Sequence, residues 1–278
     1  YRSRWDLRNE IDNGNFSNPQ PLLCTHAGFT GVPFSDWAGY ISRKRSVEET
    51  FYLEVAKSMH TRNMPRRPGA PAFNSTTINL FDEEIVWIVR HGGMIGLSMD
   101  RRILGYVDKF DNRPTGIDQN SPLMVDKEYI SKTEWAGFNI PNSRIGKLID
   151  EGDCVTRTDV EDSTEVSIPA RDEYFFDHVL LHLKHYLQVC LDAGISLQQA
   201  QKHITIGSDF DGLINPFLNM QVSGDMQELK KYITMNFGFY LETLTDSKQW
   251  VNQLNIPAFA DDLFYHNGFN FIKSYFTK

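Results

Sequence analysis

The sequence predicts an α/β fold made of parallel βα units. Short apolar runs at 21–26, 94–99 and 203–207 alternate with stretches of helical period, the pattern of strands buried on both faces by helices. Each run also stops at residues able to do chemistry: His26, then Ser98 with Asp100, then Asp209 with Asp211. With 278 residues, of which 41% are hydrophobic and 13% aromatic, the chain is long enough for one large domain, and a single domain is expected over 1–278.

Residues 1–13 read as a helix, with Trp5, Leu7 and Ile11 set among charges, and Asn13-Gly14 ends it. Tyr1 opens this helix in its middle, so the chain is expected to be a piece of a longer protein. Pro21 to Thr25 reads as a buried strand ending at His26, with a turn at Gly28 and Gly31. Ser46 followed by Glu49 spells a capping box and predicts a helix over 46–59. Residues 60–75, with Pro65, Pro68, Gly69 and Pro71, read as a loop. Asp82 to Arg90 carries Ile85, Ile88 and Val89 at helical spacing and stops at Gly92-Gly93, before a second strand over Met94 to Met99.

From 100 to 171 the text turns polar and turn-rich, with Pro114, Pro122, Pro141 and Pro169. It is expected to be an insertion covering the carboxyl rim of the sheet, containing a short helix over 126–135 and a hairpin between 154–157 and 165–168. A strong helix over 172–193 is ended by Gly194, a shorter one covers 196–202, and the third strand follows. Residues 225–276 read as helical except near Asn255-Ile256-Pro257.

Composition narrows the function. Asp and Glu total 36 against 28 Lys and Arg, a net charge of -8, which argues against nucleic acid and anionic membranes as partners. No apolar run approaches the ~20 residues that span a bilayer, and no secretory leader opens the chain, so membrane insertion is not expected. Cys24, Cys154 and Cys190 are odd in number and form no CxxC pair, so buried thiols are expected rather than disulfides, with the cytoplasm slightly favoured.

In parallel βα folds reactive groups gather where strands end, and a strand-end His with a strand-end Asp on one rim suits a metal ion and a proton acceptor. Counting back by two from Asp209 puts Gly207, Thr205 and His203 on one side, with Ile204 and Ile206 turned to covering helices. Asp209 to Gly212 also reads as a self-capping turn or, weakly, as a degenerate calcium loop, with Gly at the fourth position and no Glu at the twelfth. His178, His182 and His185 line one helical face opposite the apolar stripe of Phe176, Val179, Leu180, Leu183, Leu187 and Cys190, and are expected to face solvent or a partner. His91 reads as a cation at a helix C-terminus, and Asp82-Glu83-Glu84 as acids at a helix start.

Together these segments resemble the membrane dipeptidase (renal dipeptidase) family of metal-dependent amidohydrolases. Pro21-Leu22-Leu23-Cys24-Thr25-His26-Ala27 is similar to its "P-V-I-x-S-H-S" strand, Asn79 to Ile85 with Gly92 to Gly96 to "N-L-T-D-E-x-I … G-G-x-I-G", Asp177-His178 with His182 or His185 to "D-H-x-x-H", and Ile206 to Gly212 to "G-S-D-F-D-G". The tail from Phe259 to Phe271 is similar to the family's ending, and the order matches throughout. The resemblance implies the last three strands of a (β/α)8 TIM-type barrel, with His26 as a metal ligand and Asp209 as the catalytic group that takes a proton from metal-bound water.

The family's H-x-D, bridging Glu and fifth-strand His precede the region covered, and none of the eight histidines here is followed by x-Asp. A divalent metal, zinc first, is therefore implied for the intact protein, with most ligands on a missing N-terminal part and an incomplete site in this chain. The family's carboxylate-clamping Arg falls at Ile78, so Arg62, with Arg66 and Arg67, is the substitute, and Asp211 is a second candidate for contact with a small or peptide-like substrate. The expectation is a hydrolase of amide or related bonds, inactive as this chain alone, with room for a homodimer; the alternative is a barrel-derived binding or scaffold protein without catalysis.

Overall fold

The three apolar runs pair as one parallel sheet, and helices cover it. The computed structural model describes residues 2–15, 22–58, 73–105, 125–140, 148–149, 173–209, 220, 222–242 and 248–276. In chain order they form α1 (Arg2–Asp12), β1 (Leu23–Ala27), α2 (Phe34–Trp37), β2 (Ile41–Val47), β3 (Thr50–Ala56), α3 (Asp82–Arg90), β4 (Met94–Leu97), α4 (Arg101–Leu104) and β5 (Val125–Ser131). There follow α5 (Lys132–Gly137), β6 (Leu148–Ile149), α6 (Glu173–Asp192), α7 (Leu197–Ala200), β7 (Ile204–Ile206), α8 (Met226–Glu242), α9 (Ile256–Asp261) and α10 (Asn267–Phe276). The architecture is mixed α/β.

The parallel sheet has the order β1-β4-β7, with Leu23 opposite Met94 and Ile95 opposite Ile204. β4 is central and wholly buried, as a run of apolar residues between two neighbours must be. Ile95, Leu97 and Ile204 share a core with Ile85 and Ile88 of α3 and Leu180, Leu183 and Leu187 of α6. α8 and α9 extend it through Leu229, Ile233 and Phe237, whose ring stacks on Phe259 at 5.7 Å.

Local signals explain the helix ends. α3 starts where the Glu84 carboxylate accepts the Phe81 N–H at 3.0 Å, and the helix stops at Gly92 in the left-handed conformation, φ 70°. The chain leaves α6 in the same way at Gly194, φ 78°. α1 is tied to α3 by Arg4, which donates to the Glu84 carboxylate at 2.7 Å and to the carbonyls of Thr77 and Asn79 at 2.9 Å each. His91 takes its expected place after the last turn of α3, with Nδ1 2.8 Å from the Trp87 carbonyl.

The helix expected over 46–59 is instead a hairpin. β2 and β3 pair antiparallel around a turn in which Glu48 has φ 48°. β3 then pairs with β5, and β6 adds to β2 in parallel, giving the order β5-β3-β2-β6. The physical reason is alternation: Leu53 and Val55 are fully buried, with Phe51 packed beside them, while Tyr52 and Glu54 point the other way. The helix expected over 126–135 is corrected likewise to strand β5 followed by the short α5, which Ser131 caps through the Glu134 N–H. Trp37, Ile41, Phe81, Ile130 and Trp135 complete this second core. A seam of buried hydroxyls lies beside it, with the Thr30 carbonyl accepting from Ser58 Oγ at 2.6 Å and Ser75 Oγ at 2.9 Å. No helix among the described residues is long and apolar enough to cross a membrane.

Candidate functional site

The carboxyl edge of the parallel sheet brings His26 and Asp209 together. His26 is the penultimate residue of β1, in an exposed position, and its Nε2 lies 4.0 Å from Oδ2 of Asp209, three residues beyond β7. That spacing exceeds a hydrogen bond. The other ring nitrogen of His26 is 2.9 Å from the Thr25 hydroxyl. Asp209 adopts φ 54°, a left-handed conformation that Asp tolerates better than most residues because its short side chain can satisfy nearby backbone.

The end of β4 is different. Ser98 is fully buried and its Oγ accepts the Asp100 N–H at 3.2 Å. Asp100 caps α4, its Oδ1 accepting from the N–H groups of Arg102 at 2.7 Å and Ile103 at 3.2 Å. Ser98 Oγ and Asp100 Oδ1 are thus engaged with backbone N–H groups at the rim. Arg62 and Asp211 lie outside the described residues, as do Arg66, Arg67, Cys154 and the hairpin expected over 154–168. Ile78, where the resemblance places an Arg, is exposed.

Parity along β7 is followed by Ile204 and Ile206, which pack into the helical core. Thr205 faces the other side, but that side is covered too: its hydroxyl donates to the Leu263 carbonyl at 2.9 Å, and Asn267 Nδ2 donates to the Ile204 carbonyl at 2.8 Å. The C-terminal helices thus close one flank of the sheet.

The three histidines of α6 do not face solvent. His178, His182 and His185 are all buried, because Phe29, Phe73 and α4 cover the face opposite the apolar stripe. Nε2 of His178 and Nε2 of His182 both reach the Leu104 carbonyl, at 2.6 and 2.9 Å, so each carries its proton there. His185 Nε2 sits 2.9 Å from Asp82 Oδ1. Burial pushes the His178 imidazole down to about 4 and holds His182 well below its ordinary value, with His178 beside it adding to the effect. Among the described residues Nδ1 of His182 has no hydrogen-bond partner.

A further buried pair escaped the reading of the sequence. Lys57, just past β3, donates to Asp126 of β5 at 2.5 Å; burial pushes the lysine down and the carboxyl up. Beside it Glu128 accepts from the hydroxyl and the N–H of Thr77, and burial raises this carboxyl as well. Only knowledge of the β3–β5 register puts these charges side by side. Cys190 is a buried thiol, pushed up to about 12, and Cys24 is partly buried with its thiol raised by the same cause.

For a metal, His26 and Asp209 offer the right donor types, one imidazole nitrogen and one carboxylate oxygen. Among the described residues no group of three or more His, Cys, Asp or Glu side chains could hold an ion. Comparison with protein-family models, with curated proteins and with solved structures yields no match to this chain.

Proposed function

We propose that the chain is the C-terminal portion of a (β/α)8-type barrel in a metal-dependent, dipeptidase-like amidohydrolase. The observation that carries this reading is the His26–Asp209 pair, set 4.0 Å apart where two parallel strands end. With Nδ1–H donated to the Thr25 hydroxyl oxygen, Nε2 of His26 keeps a lone pair aimed toward Asp209 and would hold a divalent metal, zinc first, together with ligands from an N-terminal part of the barrel. The metal, when bound, supplies Lewis acidity and lowers the pKa of water. Asp209 Oδ2 then accepts and returns the proton as the amide or related bond of a small or peptide-like substrate is cleaved.

Turnover of a dipeptide panel by a longer polypeptide containing this chain, loaded with zinc, tests the reading. Asp209→Asn is expected to lower turnover by about 10²–10⁴-fold with metal content unchanged. His26→Ala is expected to lower metal content as well. Turnover within a few-fold of the parent in Asp209→Asn would remove the assignment. Zinc-loaded protein with no hydrolysis at all would favour the non-catalytic binding or scaffold reading.

A further inference from the structure

β4 lies between β1 and β7, so in a regular sheet the outer strands would stand two spacings apart, about 9.5 Å. The ends of β1 and β7 nevertheless meet. The pairing of β1 with β4 loses register between Cys24 and Ala27, the mark of a bulge, and there the Thr25 hydroxyl lies 2.9 Å from the ring of the very next residue, His26. Regular strand alternation would send those two side chains to opposite faces.

What lets β1 leave its line is a pair of glycines. A Cβ added to Gly96 of β4, or to Gly207 just past β7, would fall far inside the Thr25 carbonyl oxygen, which lies over both. Either Cβ would also stand 2.9 to 3.0 Å from the Cα of the other glycine. Neither residue has a positive φ, so the backbone conformation does not call for glycine; the absence of a side chain does. We propose that Gly96 and Gly207 are positioning residues, a cleared seat across which the bulged peptide of β1 lies, and that this crossing sets His26 against Asp209. A methyl group at either position pushes the Thr25 carbonyl back toward the line of β1 and carries His26 with it. The proposal rests on His26 and Asp209 as the site but concerns only their placement.

The test replaces turnover with a metal-bridging readout. In the 278-residue chain, Asp209→His sets two imidazoles across the same gap, at a left-handed position that His also tolerates. Zinc that ligates both stabilises the fold by an amount that grows with the logarithm of its concentration over Kd, and thermal unfolding across a zinc titration reads the Kd. Zinc is expected to raise the Tm of the Asp209→His chain, and His26→Ala in that background is expected to abolish the rise. Adding Gly207→Ala or Gly96→Ala is expected to weaken the zinc Kd at least tenfold, whereas Gly39→Ala, whose Cβ meets nothing within 4 Å, leaves it unchanged.

A Kd within twofold of the parent in the glycine variants overturns the proposal, and so does a zinc response that is absent from the Asp209→His chain or that survives His26→Ala. If Gly207→Ala fails to fold, Gly96→Ala carries the glycine arm, and the His26→Ala arm needs neither. Loss of the hydrolase reading would show as absent turnover in the longer polypeptide and would leave these zinc affinities as they are.

Discussion

Acid should unlock the α6 core before it protonates most carboxylates. His178 is buried with its imidazole held at about 4, against an ordinary value near 6.5, so the folded state resists a proton that the unfolded state accepts. The stability this represents is fully present above pH 6.5 and is lost as pH falls from 6.5 toward 4. Over the whole window the difference is worth about 3 kcal/mol, and at pH 5 about 2 kcal/mol is already gone.

His182 acts in the same direction, since burial, with His178 beside it, disfavours a second proton on its ring. Three other groups bear on the slope. Lys57 repels a proton on His178, and Asp126 and Glu128, pushed up by burial, change in the opposite sense at lower pH. The contribution of His178 is therefore isolated as a difference, by urea unfolding of the parent and of His178→Gln at pH 7 and pH 5. Gln keeps a donor for the Leu104 carbonyl but does not titrate, so the loss between the two pH values is expected to shrink by about 2 kcal/mol. An equal loss in both chains would refute the argument.

Two other outcomes follow from buried groups. Removing one partner of the Lys57–Asp126 pair, as in Asp126→Ala, is expected to cost about 3–5 kcal/mol in urea unfolding, while Lys57→Met with Asp126→Leu together costs less than either single change. Cys190, with its thiol pushed up to about 12, is expected to stay unmodified by a disulfide reagent at pH 8 until the chain is unfolded in denaturant.

The parallel strands were legible because a strand buried on both faces leaves a continuous apolar run, and α3 and α6 because their periodic stretches end at glycines. β2 and β3 were misread because Ser46 and Glu49 spell a helix cap, and the alternation of Phe51, Leu53 and Val55 decides the matter only once β5 is known to be the partner. The strand-end argument pointed to His26 and Asp209, and the fold sets them side by side. It could not separate them from Ser98 and Asp100, because a short polar residue at a strand end serves equally as a ligand or as a cap for the next helix. For α6 the helical wheel divided polar from apolar correctly. It held no information on Phe29, Phe73 and Leu104, which arrive from distant segments to bury the polar side.

The spacing of the parallel strands along the chain bears on how the molecule forms. β1 and β4 pair across about 70 residues and β4 and β7 across about 110, whereas β2 and β3 meet through a two-residue turn, and closing a loop costs entropy that grows with its length. The β2–β3 hairpin is thus the natural early structure, and the sheet that carries His26 and Asp209 must wait for long-range closure. A chain of this topology folds slowly and exposes unpaired strand edges while it does so. The rim that holds the two residues is then among the last parts to assemble, and its integrity reports that folding has finished.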